Sequence, residues 1–287
     1  MNSQPSQVLE HLQQFRFACL LVGAVITINS FSCNSTGDHH PELKKYFDAY
    51  KVKGCFEVFD SRNSQFIDYN PDRCSQRFIP ASTFNIFISL VGLQTGALPD
   101  ENHVIQWDSI VRIVPAWNHN QSLQKAFRNS TLWYFQEVAR RITAPKMQQY
   151  LNLLHYGNKT MDGPVDSLWL SGGLRISCDE QIEFIRDFYR NTYHFSPESV
   201  NRVKKMLILE EVPDYKLSGK TGWTEMKGNE TVDSKLNVGW FVGYVEKGGD
   251  VYFFATNYEA PEFTQKNFEL IGKEITIKCL KELGIIL

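Results

Sequence analysis

Apolar positions along the chain alternate between two spacings. "GCFEVFD" (54–60) and "SQFIDYN" (64–70) are short runs rich in β-branched and aromatic residues, and three more cluster late, in "YKLSGKTGW", "NVGWFVGYVEK" and "DVYFFATN". Such runs predict strands. The middle of the chain has helical spacing instead. "TAPKMQQYLNLLHYG" carries a proline near its start and a glycine at its end, "SCDEQIEFIRDFY" opens with Ser177 and Glu180 in capping-box positions, and "SPESVNRVKKMLIL" sets Ser196 at a cap before Pro197. "FTQKNFELIGKEITIKCLKEL" predicts a long amphipathic C-terminal helix. Strands at both ends with helices between them predict an α/β chain of the α+β kind. Its antiparallel sheet would be completed by the late strands and flanked by terminal helices, with a separate helical lobe over roughly residues 95–200. A cleft between the lobes is the natural place for a site.

One apolar run fits neither pattern. Residues 17–28, "FACLLVGAVITI", are uncharged, follow Arg16, and are too short to span a bilayer. They have the proportions of a secretory h-region, so residues 1–32 read as a signal peptide and the protein as exported, to the periplasm. A buried core helix is the competing reading, and the small residues of "NSFSC" argue against it. Ser32 suits a cleavage site before Cys33, which would then become a lipid-bearing, membrane-anchored N-terminus as in bacterial lipoproteins; Ser30 and Phe31 fit that pattern poorly. Residues 33–287 would form the mature domain, beginning with the polar tether "NSTGDHH".

Of the 287 residues, 43% are hydrophobic and 13% aromatic, enough for one large core or two lobes sharing a cleft. A formal net charge of −2 offers no basic footprint for nucleic acid. Beyond Cys19 and Cys33, four cysteines remain, Cys55, Cys74, Cys178 and Cys279, with no C-x-x-C pair and no histidine spacing of the zinc type. No metal or cofactor is expected, and the four read either as buried thiols or as one disulfide plus free thiols. His39 and His40 read as solvated residues of the tether, His119 and His155 lack a third member for a Ser-His arrangement, and Trp107 and Trp117 read as packing residues.

Four short stretches carry candidate chemistry. In "STFN", Ser82 and Asn85 stand i, i+3, so a helix opened by the serine would project both from one face. A plain N-cap is the commoner fate of such a serine. "SGKTG" (218–222) sets Lys220 and Thr221 between glycines that allow close backbone approach, just before Trp223. In "NSTL" (129–132), Ser130 leads a run of apolar spacing that starts at Leu132, and "HYGN" (155–158) precedes "SLWLSGGLRIS".

This order of motifs, together with "QRFIPAST", "VGWFVGYVEK" and "VYFFATN", resembles the class D serine β-lactamases, the oxacillinases, from about residue 45 to residue 286. The resemblance implies a serine β-lactamase/penicillin-binding transpeptidase-like fold, with a five-stranded antiparallel sheet beside an all-helical lobe. It further implies that Ser82 opens the β-lactam ring as nucleophile and holds an acyl ester. The backbone N–H groups of Ser82 and Trp223 would form the oxyanion hole. Ser130 would relay a proton to the departing ring nitrogen, and Lys220 with Thr221 and Gly222 would meet the substrate carboxylate. Trp169 matches the tryptophan that holds the family's modified lysine, and Leu132 and Tyr156, with Gly157 and Asn158, would wall the cleft.

Two positions depart from that pattern. The family's Ser-x-x-Lys lysine, its general base, is Asn85 here, and a carboxamide cannot take a proton near neutral pH. The family's carboxylate-clamping arginine is Gly272 here, with Lys266 or Lys273 as candidate substitutes. Three functions remain compatible: a slow class D hydrolase, a penicillin-binding or sensor-like module that acylates without turnover, and an acyl transferase acting on cell-wall peptides.

Overall fold

The computed structural model describes residues 37–225, 236–261 and 268–287. The signal-peptide expectation (1–32), Cys19, Cys33 and Lys266 lie outside the described residues. In chain order the first elements are β1 (Asp38–His39), α1 (Lys44–Ala49), β2 (Lys53–Asp60), β3 (Gln65–Tyr69), α2 (Pro71–Cys74) and α3 (Phe84–Gln94). Then come β4 (Val104–Ile105), β5 (Gln121–Ser122), α4 (Leu123–Asn129), α5 (Leu132–Ile142), α6 (Ala144–Leu153), α7 (Cys178–Arg190) and α8 (Pro197–Leu207). The chain closes with β6 (Ile208–Glu211), β7 (Lys216–Glu225), β8 (Leu236–Lys247), β9 (Asp250–Pro261) and α9 (Phe268–Glu282).

Seven strands form the main sheet in the order β1-β3-β2-β9-β8-β7-β6. The middle five are antiparallel, as expected, and two short strands extend the edges: β1 pairs parallel with β3, and β6 pairs antiparallel with β7. The helical spacing of "SPESVNRVKKMLIL" runs past the end of α8. At Ile208 the backbone turns extended (φ −61°, ψ 121°) and the "ILEE" segment joins the sheet instead. His39 is exposed, as expected, but belongs to β1, with its Nδ1 2.9 Å from Asp68 Oδ1.

β2 sits between layers and is buried from Gly54 to Asp60. Its alternation sends Cys55 and Phe59 into the core shared with α3, α5 and α7, and Phe56 and Val58 into the core under α9. α3 is buried from Phe84 to Leu93, the expected fate of a helix that is apolar all round. α7 begins in a complete capping box of Ser177 and Glu180 and packs against β2, β8 and β9. It therefore belongs to the sheet, and the helical lobe is narrower than residues 95–200. Among the described residues no helix is long and apolar enough to cross a membrane.

Candidate active site

Ser82 occupies a one-turn 3₁₀ segment, Ala81–Thr83, that leads into α3. No side-chain cap hydrogen bond forms at either helix start, so the hydroxyl is not spent as an N-cap, and Ser82 stays half-buried while both neighbours are buried. The turn is clamped from all sides. Ala81 has a left-handed φ of 49°, a costly conformation for a residue with a Cβ, and its N–H donates to the Trp169 carbonyl at 3.0 Å. Trp240 Nε1 donates to the Ile79 carbonyl at 2.9 Å, and the Thr83 hydroxyl donates to the Pro80 carbonyl at 2.7 Å while accepting from Gln181 Nε2 at 2.8 Å. Thr83, Gln181 and the strained Ala81 escaped sequence reading, because their partners lie up to 98 residues away.

β7 closes the other wall. Its two-residue period puts Ser218, Lys220 and Gly222 on the face opposite Leu217, which joins the core under α9. A Cβ on Gly222 would lie 2.9 Å from the Thr83 nitrogen, so only glycine lets the strand come this close to the serine turn. β6 pairs with β7 only as far as Ser218. From Gly219 onward no described strand covers that edge of β7, and the half-buried Thr221 and partly exposed Trp223 lie along it.

Lys220 is 5% exposed, and its Nζ donates to Ser130 Oγ at 2.6 Å and to the Thr221 carbonyl at 2.9 Å. It forms no ion pair among the described residues, and burial alone pulls its pKa down to about 7. Ser130 stands between α4 and α5 in a left-handed conformation (φ 50°), which turns it out of both helices. The preceding carbonyl, of Asn129, accepts from Trp117 Nε1 at 3.0 Å. A hydroxyl held on an amine that loses its proton near neutral pH has the chemistry a proton relay requires.

The sequence has relatives among known proteins. The model of the penicillin binding protein transpeptidase domain matches residues 44–276. Beta-lactamase OXA-5 of Pseudomonas aeruginosa is 37% identical over 243 residues, covering 85% of this chain and 88% of that protein. The crystal structure of the class D β-lactamase YbXI from Nostoc is 38% identical, covers 85% of this chain and 99% of its own, and superposes with a TM-score of 0.77. The chain belongs to the class D β-lactamase family. The C-terminal domain of the Bacillus licheniformis BlaR penicillin receptor is also similar, at 31% identity and a TM-score of 0.80, over 87% of this chain and 97% of that domain.

Measured against the class D pattern, the structure corrects several expectations. Tyr156 does not wall a cleft; it is fully buried, its ring 5.2 Å from those of both Phe84 and Phe87 and 5.0 Å from that of Phe184. Asn158 is used internally, donating to the Gly173 carbonyl and accepting from the Arg175 N–H. Trp169 is buried against Phe84, with ring centroids 5.5 Å apart, and Leu132 is half-buried at the first position of α5. Gly272 faces the sheet, where an added Cβ would lie 2.7 Å from Tyr258 Cε1, so the tyrosine ring fills the space an arginine there would need. Lys273 is half-buried, and His119 and His155 are exposed.

Asn85 is the position at which the sequence reading expects the family's base to be missing. It is 2% exposed on the first turn of α3, one helical step from Ser82, and its carboxamide makes no side-chain hydrogen bond among the described residues. Position 85 thus holds a buried neutral amide, which cannot take a proton near neutral pH.

Proposed function

We propose that this class D chain opens β-lactam rings through a Ser82 acyl-enzyme and hydrolyses the ester slowly. The observation that carries the reading is the 2.6 Å hydrogen bond between Lys220 and Ser130, with a lysine that loses its proton near pH 7. The neutral amine takes the Ser130 proton as Ser130 takes that of Ser82, and Ser82 Oγ bonds to the β-lactam carbonyl carbon. Charge moves onto the carbonyl oxygen, met by the N–H groups of Ser82 and Trp223; one such donor is worth roughly 3 kcal/mol. The ring C–N bond then breaks as the proton returns through Ser130 to the nitrogen. Thr221, on the edge of β7 that no described strand covers, offers a main-chain partner for an extended substrate.

Deacylation needs a base beside the attacking water, and Asn85 supplies none. Absence of such a base costs a factor of about 100 to 10,000. That same residue favours a second reading, a penicillin sensor whose acyl ester persists. We further propose, from the apolar run at residues 17–28, that the domain works after export.

Intact-protein mass followed over time with benzylpenicillin tests both. The native domain should gain one penicilloyl adduct that decays, Ser82→Ala should gain none, and Asn85→Lys should shorten adduct lifetime by the factor above. An adduct that never decays selects the sensor. An adduct formed equally by Ser82→Ala refutes the site.

A further inference from the structure

Three cysteines that are remote in sequence meet in the core, away from the serine turn. Cys55 on β2, Cys74 at the end of α2 and Cys178 at the start of α7 are each no more than 1% exposed. Their sulfur atoms all lie within 4.8 Å of one another, and Cys55 Sγ and Cys178 Sγ are 3.5 Å apart. We propose that they form a three-sulfur site for one soft monovalent metal ion of the copper(I) class.

The geometry favours an ion over a disulfide. A metal–sulfur bond of about 2.3 Å sets the corners of a trigonal site about 4 Å apart, close to the spacing found here. A disulfide would draw two sulfurs to about 2.05 Å and strand the third. No histidine nitrogen or carboxylate oxygen joins the cluster among the described residues, so the donor set is thiolate only and short of the four ligands zinc prefers. Thiolates with no oxygen donor select soft ions such as copper(I).

Two further observations point to an occupant. Cys74 makes only weak S–H contacts of 3.8 Å, to the carbonyls of Phe56 and Tyr69, which it gives up at little cost when it ligates. Arg73, next to it, is buried with Nε unpartnered, while its terminal nitrogens reach Asn257 Oδ1 at 2.6 Å and Glu259. Arg73 is ion-paired with Glu259 at 3.2 Å, so its guanidinium offsets only a part of the negative charge that a thiolate-bound monovalent ion leaves. Each thiol still protonated loses one proton to solvent as it ligates, and no electron is transferred. Because the sulfurs are sealed from solvent, the ion enters as the chain folds.

The test is anaerobic refolding of the reduced full chain with copper(I), supplied as its acetonitrile complex, followed by challenge with a copper(I) chelator. One copper per chain should be retained by the native protein and by Cys279→Ser, whose thiol lies in the other core, under α9. Cys74→Ser should lose at least a hundredfold in affinity. X-ray absorption of the loaded native protein should show sulfur neighbours only, at about 2.3 Å, and this reading holds even if Cys74→Ser fails to fold. No retained copper in the native protein, equal loss in Cys279→Ser, or nitrogen and oxygen neighbours would each overturn the proposal.

Discussion

Lys220→Met removes the amine while keeping a long apolar side chain, so it separates the proposed role of Lys220 as a base from its role in packing. With a pKa of about 7, about one Lys220 in eleven is neutral at pH 6 and about ten in eleven at pH 8, so the acylation rate should rise about tenfold across that interval. In Lys220→Met the rate should fall by a factor of about 100 to 10,000, or about 3 to 5 kcal/mol of barrier, and lose its inflection. Stability should move the opposite way. The folded pKa lies below the ordinary value of 10.5, so between about 7 and 10.5 the unfolded chain binds more protons and native stability rises with pH, while below 7 the full cost of burying the amine applies. Removing the amine relieves a cost of up to about 5 kcal/mol, because each tenfold loss of proton affinity on folding is worth about 1.4 kcal/mol. Single-turnover stopped-flow with a chromogenic cephalosporin gives the pH profile, and urea unfolding at pH 6 and 9 gives the stability. An inflection that survives in Lys220→Met, or a variant less stable than the native protein at pH 6, would refute the argument.

Two further substitutions probe the frame around the site. Gly272→Arg should not create a carboxylate clamp: with Tyr258 in the way it should cost about 1–3 kcal/mol of stability and leave KM for penicillins unimproved, as thermal melts and steady-state kinetics would show. Ser177→Ala breaks the capping box of α7 and should cost about 0.5–2 kcal/mol by urea titration, with no change in the acylation rate at saturating substrate.

Local periodicity determined much of this protein. The five central strands, the caps at Ser177 and Ser196 and the long last helix are written in runs of a few residues, because alternation, capping and proline position act over one turn or one strand. The motif order around Ser82, Ser130 and Lys220 was legible for the same reason. Tertiary structure decided the rest. The serine turn is held by Trp169, Trp240 and Gln181, all distant in sequence, and the uncovered edge of β7 exists because β6 stops opposite Ser218. Tyr156 and Gly272 both look substrate-facing in the motif order, yet packing turns one into the aromatic core and sets the other beneath Tyr258. The meeting of Cys55, Cys74 and Cys178 leaves no trace in their spacing. Only the stacking of α2 and α7 on β2 brings three sulfurs together, since side chains far apart in the chain meet where layers pack and not where a local pattern repeats.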